Sequence, residues 1–211
     1  MPYRIKEIYY TLQGEGAQVG RPAVFCRFSG CNLWSGLEKD RSSALCRFCD
    51  TDFVGTDGPG GGVFEGPEDL AEAVKKKFPH FPEGRPLVVL TGGEPLLQAD
   101  EALIRALHER DMEVALETNG TLIPPPGVDW ISVSPKAGVE WRLRTGSELK
   151  LVFPQEGLDP LDYEGGDFRY FFLQPCDGPD LEENIRKAVR YCLDRPRWRL
   201  SLQLHKRIGL P

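Results

Sequence analysis

Six cysteines stand at positions 26, 31, 46, 49, 176 and 192, and four of them fall within residues 26–49. Cys46-Arg47-Phe48-Cys49 is a C-x-x-C pair. That spacing puts both thiolates on one tight turn, which suits a metal or a redox dithiol. Cys31 precedes the pair by fourteen intervening residues. A structural zinc site is closed by four protein ligands. Cys26 is a candidate for the fourth place, but Val24-Phe25-Cys26-Arg27-Phe28 reads as a strand, where Cys26 faces away from Phe25 and Arg27. None of the three histidines, His80, His108 and His205, lies nearby in sequence. Cys31, Cys46 and Cys49 therefore form an incomplete set. Three thiolates on a cuboidal iron–sulfur cluster leave one iron open to a small molecule. A framework of disulfides is the weaker reading, because no secretory signal is visible and a chain of this length builds a core without staples.

The remaining candidates sit where strands should end. Tyr3 to Tyr10 and Arg21 to Phe28 alternate as strands, with Gln13-Gly14-Glu15-Gly16 as a turn between them. Residues 29–62 read as irregular and end in Gly58-Pro59-Gly60-Gly61-Gly62, which predicts a flexible linker; no GK[ST] follows to make it a phosphate cradle. Helices are expected over Pro67–Phe78, Ala99–Arg110 and Leu181–Leu193, the last with Leu181, Ile185, Ala188, Val189 and Cys192 inward. Further strands are expected over Leu87–Leu90, Glu113–Glu117, Trp130–Val133, Glu148–Phe153, Arg169–Leu173 and Arg199–Leu204. Alternating strands and helices imply parallel βα units, whose ligands bind at the carboxyl ends of the strands. Thr91-Gly92-Gly93-Glu94-Pro95, Thr118-Asn119-Gly120, Ser134-Pro135-Lys136 and Gln174-Pro175-Cys176-Asp177 all fall there, so one shared cavity is expected. A full eightfold barrel takes about 250 residues. With 211 residues and three clear helices, the expectation is an α/β fold, a partial, open (β/α) barrel of mostly parallel strands, with residues 1–211 in one domain.

Composition excludes several classes. The hydrophobic fraction of 40% and charged fraction of 27% describe a globular chain. Lys plus Arg is 26 against 32 Asp plus Glu, a net charge of −6, which is the wrong balance for coating a nucleic-acid backbone. The longest aliphatic runs, such as Leu87-Val88-Val89-Leu90, are too short to span a bilayer. The opening Met1-Pro2-Tyr3-Arg4-Ile5 passes straight into a strand pattern without a signal peptide.

The cysteine triad, Phe48 before its last member, and a strand running into Gly92-Gly93-Glu94-Pro95 resemble the radical S-adenosylmethionine superfamily. The usual triad there is C-x3-C-x2-C. The longer first gap, residues 32–45, is a departure, but loop closure grows only logarithmically with length and this lengthening costs about 1 kcal/mol. Within the superfamily the chain resembles the 7-carboxy-7-deazaguanine synthases of queuosine and 7-deazapurine biosynthesis. The resemblance runs through Leu12-Gln13-Gly14-Glu15-Gly16, Arg27-Phe28-Ser29-Gly30-Cys31-Asn32-Leu33-Trp34, Cys49-Asp50-Thr51, Glu117-Thr118-Asn119-Gly120, Ser134-Pro135-Lys136, Gln174-Pro175 and His205-Lys206. Each is weak alone; their order and chain length make them specific.

The resemblance implies a carbon–nitrogen lyase that rearranges 6-carboxy-5,6,7,8-tetrahydropterin to 7-carboxy-7-deazaguanine with release of ammonia. A 5′-deoxyadenosyl radical abstracts hydrogen from substrate C6 and later takes it back. It implies a [4Fe-4S] cluster on Cys31, Cys46 and Cys49, S-adenosylmethionine, and Mg2+ at Thr51; a turn-stabilising hydroxyl is the plainer reading of Thr51. S-adenosylmethionine would contact Phe48, Asp50, Gly92, Gly93 and Glu94, then Ser134, Pro135 and Lys136, and then Gln174, Pro175, Cys176 and Asp177. For Cys176, packing or backbone contact is preferred to ligation. The pterin has several N–H donors and a carboxylate. Gln13, Glu15 and Glu117 can accept from the donors, and Arg27 can hold the carboxylate through two parallel hydrogen bonds, unless it is simply a surface arginine. Leu12, Gly14, Thr91 and His205, in the extension of the last strand, complete the substrate set, together with the terminal carboxylate of Pro211. A homodimer, an electron donor such as flavodoxin and a reducing cytoplasm are also implied. The rivals are a glycyl-radical activase of the same superfamily and a zinc-stabilised binding module using Cys26 as fourth ligand.

Overall fold

The structure, a computed structural model, describes residues 2–80 and 84–211; Met1 of the strand-like opening lies outside them. Nine strands form one sheet among these residues: β1 (Tyr3–Leu12), β2 (Pro22–Phe28), β3 (Gly62–Phe64), β4 (Leu87–Gly92), β5 (Glu113–Thr118), β6 (Trp130–Val133), β7 (Thr145–Phe153), β8 (Asp167–Pro175) and β9 (Trp198–Leu200). Their order is β3-β1-β2-β4-β5-β6-β7-β8-β9. From β2 onward every neighbouring pair is parallel, while β1 runs antiparallel to both β2 and β3. The two edges are strands of three residues, and they do not pair with each other, so the barrel stays open. Short edges also limit unwanted pairing with other chains.

The helices are α1 (Pro67–Lys75), α2 (Glu101–His108), α3 (Leu181–Asp194) and a short α4 (Leu204–Ile208). Asp100 caps α2: its carboxylate accepts from Leu103 N (3.0 Å) and also holds the Tyr3 hydroxyl (2.8 Å), tying the helix to β1. Such a cap contributes about 1 kcal/mol. α1 and α2 cover the outer face of β1, β2, β4 and β5, where Ile8, Val24, Cys26, Phe28, Val88, Leu90 and Leu116 meet Leu70, Val74, Leu103 and Leu107. Among the described residues no α-helix follows β5, β6 or β7. Over that part of the sheet, loop aromatics do the covering: Trp141 and Tyr163 lie 4.9 Å apart above Phe168.

Side-chain alternation places the polar residues. Val24, Cys26 and Phe28 of β2 enter the outer core, so Phe25 and Arg27 must point inward. The same parity turns Val89 and Thr91 of β4, Ala115 and Glu117 of β5, and Lys150 and Val152 of β7 to the inside. Phe25, Val89 and Ala115 form an apolar floor with Tyr9 and Trp130. One step further along each strand, Arg27, Thr91 and Glu117 form the polar wall above it.

Four expectations require correction. The glycine run 58–62 is not a free linker. It packs on β1, with Gly58 N donating to Lys6 O (2.9 Å) and Ile8 N to Pro59 O (2.8 Å). A Cβ on Gly61 would sit 2.1 Å from Lys6 O, so the glycines allow two backbones to touch. The final strand stops at Leu200 because β8 offers partners only through Leu173; His205 therefore lies on α4, not on a strand. The stretch 29–62, read as irregular, contains a 3-10 helix at Glu38–Ser43 and ends in the first residue of β3. On α3, Val189 is 37% exposed, and Asn184 takes a buried place where its Nδ2 donates to Cys176 O (2.9 Å). Cys192 packs at the edge of the second core, as its helical position suggests.

Candidate functional site

A cavity of about 380 Å³ opens at the carboxyl ends of the parallel strands. Cys31, Cys46 and Cys49 lie on its wall. Leu33 N donates to Cys31 Sγ (3.4 Å). Burial nevertheless pushes the Cys31 thiol up. The Cys46 thiol donates to Cys49, which holds Cys49 below and Cys46 above the ordinary thiol value. A C-x-x-C turn that stabilises one thiolate is chemically prepared for a metal group. Cys26 is 0% exposed in the outer core, so it cannot join them. Among the described residues, no group of three or more His, Cys, Asp or Glu side chains is arranged around a single ion. The thiols of Cys31, Cys46 and Cys49 share one wall without ringing a single ion, which suits a larger group.

The turn that carries them is built by the long gap. Trp34, Ala44 and Phe53 form a small core against which Cys31 and Cys49 pack. Arg41 stacks its guanidinium 4.1 Å from the Trp34 ring centroid. Its Nη1 donates to the carbonyls of Arg47 (2.8 Å) and Cys49 (3.0 Å), bracing the C-x-x-C turn from behind. Phe48, Asp50 and Thr51 face the cavity beside it.

Gly92 and Gly93 also line the cavity, but their smallness serves a protein contact. A Cβ on Gly93 would lie 2.1 Å from Gly30 O, and one on Gly92 would lie 2.3 Å from Phe28 O. Gly93 N and Glu94 N are spent on Phe28 O (3.3 Å) and Gly30 O (3.0 Å). Glu94 departs from its expected place. It is 0% exposed and outside the cavity wall, where it accepts from Thr118 Oγ1 (2.9 Å), Asn119 N (2.8 Å) and Leu96 N (3.0 Å). Burial raises its carboxyl despite these donors. Its side chain splices the end of β4 to the end of β5. Pro135 is likewise buried behind the wall, while Ser134 and Lys136 reach it. Lys136 Nζ donates to Ser134 O (2.5 Å) and Oγ (2.7 Å), and burial lowers its ammonium.

The opposite wall holds Leu12, Gln13, Gly14, Glu15, Arg27, Thr91 and Glu117. Gln13 Nε2 (3.1 Å) and Thr91 Oγ1 (3.0 Å) both donate to Glu117. Arg27 is not a surface arginine; its Nε donates to Glu7 (2.7 Å) and its Nη2 to the Tyr9 hydroxyl (2.7 Å). Half of its fork is thus engaged before any ligand arrives. Gln174, Pro175, Cys176 and Asp177 come from the end of β8, and Cys176 turns its thiol towards Asp177 O (3.6 Å). His205 reaches the wall from α4 by packing on Gly14, whose Cβ would lie 2.1 Å from His205 Nδ1. Lys206 bridges Asp50 and Asp177 (both 2.5 Å), and Pro211 closes the rim with Thr11 Oγ1 donating to its O (3.4 Å).

Three groups at the wall or just behind it escape motif reading. Lys150, Glu148 and Gln203 all converge on Glu15 or its loop. A signal for two of them exists: Glu148 and Lys150 are charged residues two apart in an otherwise apolar strand, so they share one face.

Comparison with known proteins agrees with this geometry. The Radical SAM superfamily model matches residues 41–144, starting inside the long gap and so after Cys31. The 7-carboxy-7-deazaguanine synthase of Caulobacter vibrioides is 60% identical over 211 residues, covering all of both chains. That of Bordetella pertussis is 58% identical, again over the full length of both. Among solved structures, QueE from Escherichia coli superposes with a TM-score of 0.72 at 29% identity, covering 97% of this chain and 95% of that one.

Proposed function

Since the chain belongs to the 7-carboxy-7-deazaguanine synthases of the radical S-adenosylmethionine superfamily, we propose how its cavity serves that reaction. The activity is ring contraction of 6-carboxy-5,6,7,8-tetrahydropterin to 7-carboxy-7-deazaguanine with loss of ammonia, a carbon–nitrogen lyase step of queuosine and 7-deazapurine biosynthesis. The supporting observation is that the three thiols and the acceptor-rich wall of Gln13, Glu15 and Glu117 share one cavity.

Cys31, Cys46 and Cys49 hold the [4Fe-4S] cluster. When bound, the cluster and S-adenosylmethionine supply a 5′-deoxyadenosyl radical for hydrogen abstraction at substrate C6. Phe48 and Asp50 border S-adenosylmethionine on the cysteine side. The main chain of Gly92 and Gly93, which lines the same space, would border it as well. Ser134, Lys136, Gln174, Pro175, Cys176 and Asp177 complete that half, and Glu94 and Pro135 support it from behind. Glu15, Glu117 and Gln13 accept from the pterin N–H edge, with Leu12, Gly14 and Thr91 shaping the slot. Arg27 uses its remaining N–H groups on the pterin carboxylate, and His205 and Pro211 close the rim and exclude water. Thr51, on the cavity wall, would be a ligand of Mg2+, which takes hard oxygen donors and keeps waters.

A homodimer, a flavodoxin-like electron donor and a cytoplasmic setting belong to this reading on the strength of the family. Among the described residues no helix is long and apolar enough to cross a membrane. The deciding experiment is anaerobic reconstitution followed by incubation with S-adenosylmethionine, dithionite, magnesium and the pterin. Ammonia and the deazaguanine are expected; a colourless zinc protein without product would overturn the reading. Omitting magnesium, and repeating with Thr51→Ala, tests the metal: magnesium-independent activity removes Thr51 from that role.

A further inference from the structure

The pterin half of the cavity holds a charge cluster of which the reaction as described uses Glu15 and Glu117 but neither Lys150 nor Glu148. Lys150, on the inner face of β7, is 5% exposed. Its ammonium bonds Glu15 and stands 3.9 Å from Glu117 Oε1. Glu148, two residues earlier on the same face, is the third carboxylate of the group, and it accepts from Ala17 N (2.9 Å).

Each neutral side chain hydrogen-bonded to the Glu15 or Glu117 carboxylate donates to it. Gln174 Nε2 (3.1 Å) and Gln203 Nε2 (3.0 Å) both donate to Glu15 Oε1. Gln13 and Thr91 donate to Glu117. An ionised carboxylate accepts at both oxygens, whereas a protonated one must donate at one of them. The surroundings are therefore complementary to charged Glu15 and charged Glu117. Amides and hydroxyls do not neutralise charge, so a cation must.

The other basic side chains facing the cluster have their main contacts elsewhere. Arg27 is held by Glu7 and Tyr9. Lys136 is held by Ser134. His205 sits against Gly14. Among the described residues, Lys150 alone is bonded to one of the cluster's carboxylates and close to a second.

We propose that Lys150 is a positioning residue for the pterin: it keeps Glu15 and Glu117 as paired, charged acceptors aimed at the ligand's N–H edge, without itself touching the ligand. This rests on the pterin reading of the same cavity. Electrostatics agree in direction. Burial disfavours the Lys150 ammonium, but Glu15, Glu117 and Glu148 outweigh burial and raise it. Burial likewise raises the Glu15 carboxyl, and Lys150 first, with Gln203 and His205, reverses that to a net lowering. Without the lysine, like-charged neighbours in a dry site would share a proton. One acceptor would then become a donor facing a donor.

The test is equilibrium binding of 6-carboxypterin, the oxidised and unreactive form, to full-length, cluster-loaded protein with magnesium and no reductant. Wild type should bind with nearly constant affinity between about pH 6 and pH 8. Lys150→Met should match it at the alkaline end and weaken by up to about tenfold per pH unit below, the limit for one linked proton. Lys150→Arg should restore most of the flat profile. Lys150→Met/Glu15→Gln removes both charges, guards against a variant that fails to fold, and should lose the steep pH dependence. A Lys150→Met profile parallel to wild type would overturn the inference. So would an equal loss at every pH that arginine does not rescue, because that marks a direct contact. If wild type binds no pterin at all, the functional reading has failed, and this inference fails with it for a distinguishable reason.

Discussion

Gly93 and Cys31 are in direct contact across two loops. A Cβ added to Gly93 would lie 2.8 Å from the Cys31 Cβ and 2.1 Å from the carbonyl oxygen of Gly30 just before it. The end of β4 is therefore the seat on which the first cysteine rests. Gly93→Ala should push that loop off its seat. Overpacking of this kind costs about 1–3 kcal/mol. The expected outcome is a lowered melting temperature together with reduced iron content after anaerobic reconstitution. Full iron loading at unchanged stability would show that the contact is not needed.

Arg41 couples the long gap to the C-x-x-C turn through Trp34 and the carbonyls of Arg47 and Cys49. Two such hydrogen bonds and one stacked cation contribute about 1–3 kcal/mol between them. Because these contacts are local, Arg41→Ala should leave global unfolding nearly unchanged. Loss of iron–sulfur absorbance on exposure to a chelator should be several-fold faster. Arg41→Lys should rescue little, since an ammonium cannot span both carbonyls and stack as well.

Arg27 enters the cavity with its Nε and Nη2 already held by Glu7 and Tyr9. That fixes the guanidinium before binding. Arg27→Ala should raise KM for the pterin by roughly 10- to 100-fold, the loss of a charged hydrogen bond of about 1.5–3 kcal/mol, with cluster absorbance intact. Unchanged kinetics would remove Arg27 from the site.

Lys206 of α4 ties Asp50, next to the cysteines, to Asp177 at the end of β8. The hydrogen bond from Lys206 holds the Asp177 carboxyl below its ordinary value. Burial opposes the Lys206 ammonium, but Asp177 and Asp50 raise it overall. A lowered carboxyl stabilises above its unfolded value and is lost as pH falls through the folded one. A raised ammonium stabilises below its unfolded value and is lost as pH rises through the folded one. The tie should hold across neutral pH and loosen in acid and in strong alkali. The pairs are partly exposed, so Lys206→Ala should cost at most about 1 kcal/mol of stability. It should nonetheless speed proteolysis of the tail at neutral pH, and the difference from wild type should vanish in acid. A tail equally resistant in both proteins at every pH would contradict the tie.

Much of this arrangement was legible one residue at a time. The C-x-x-C turn, the two-residue alternation of β2, β4 and β5, and the polar clusters just past strand ends are local signals. Alternation alone sends Cys26 to the core and Arg27 to the cavity, because successive side chains of a strand must point to opposite faces. The family motifs and the open, mostly parallel sheet follow from the same order of elements.

Other features depended on neighbours distant in sequence. Glu94 stands in the most recognisable motif, yet its carboxylate serves β5, since the parallel register sets Thr118 and Asn119 beside it. Gly14 and Gly61 look like ordinary turn glycines until His205 and Lys6 are found against them. The balance of Lys150 among three carboxylates exists only once β1, β5 and β7 curve around one space. Local sequence sets which face of a strand a residue occupies; folding sets what it meets there, because burial and charge compensation are properties of the assembled neighbourhood and of no single strand.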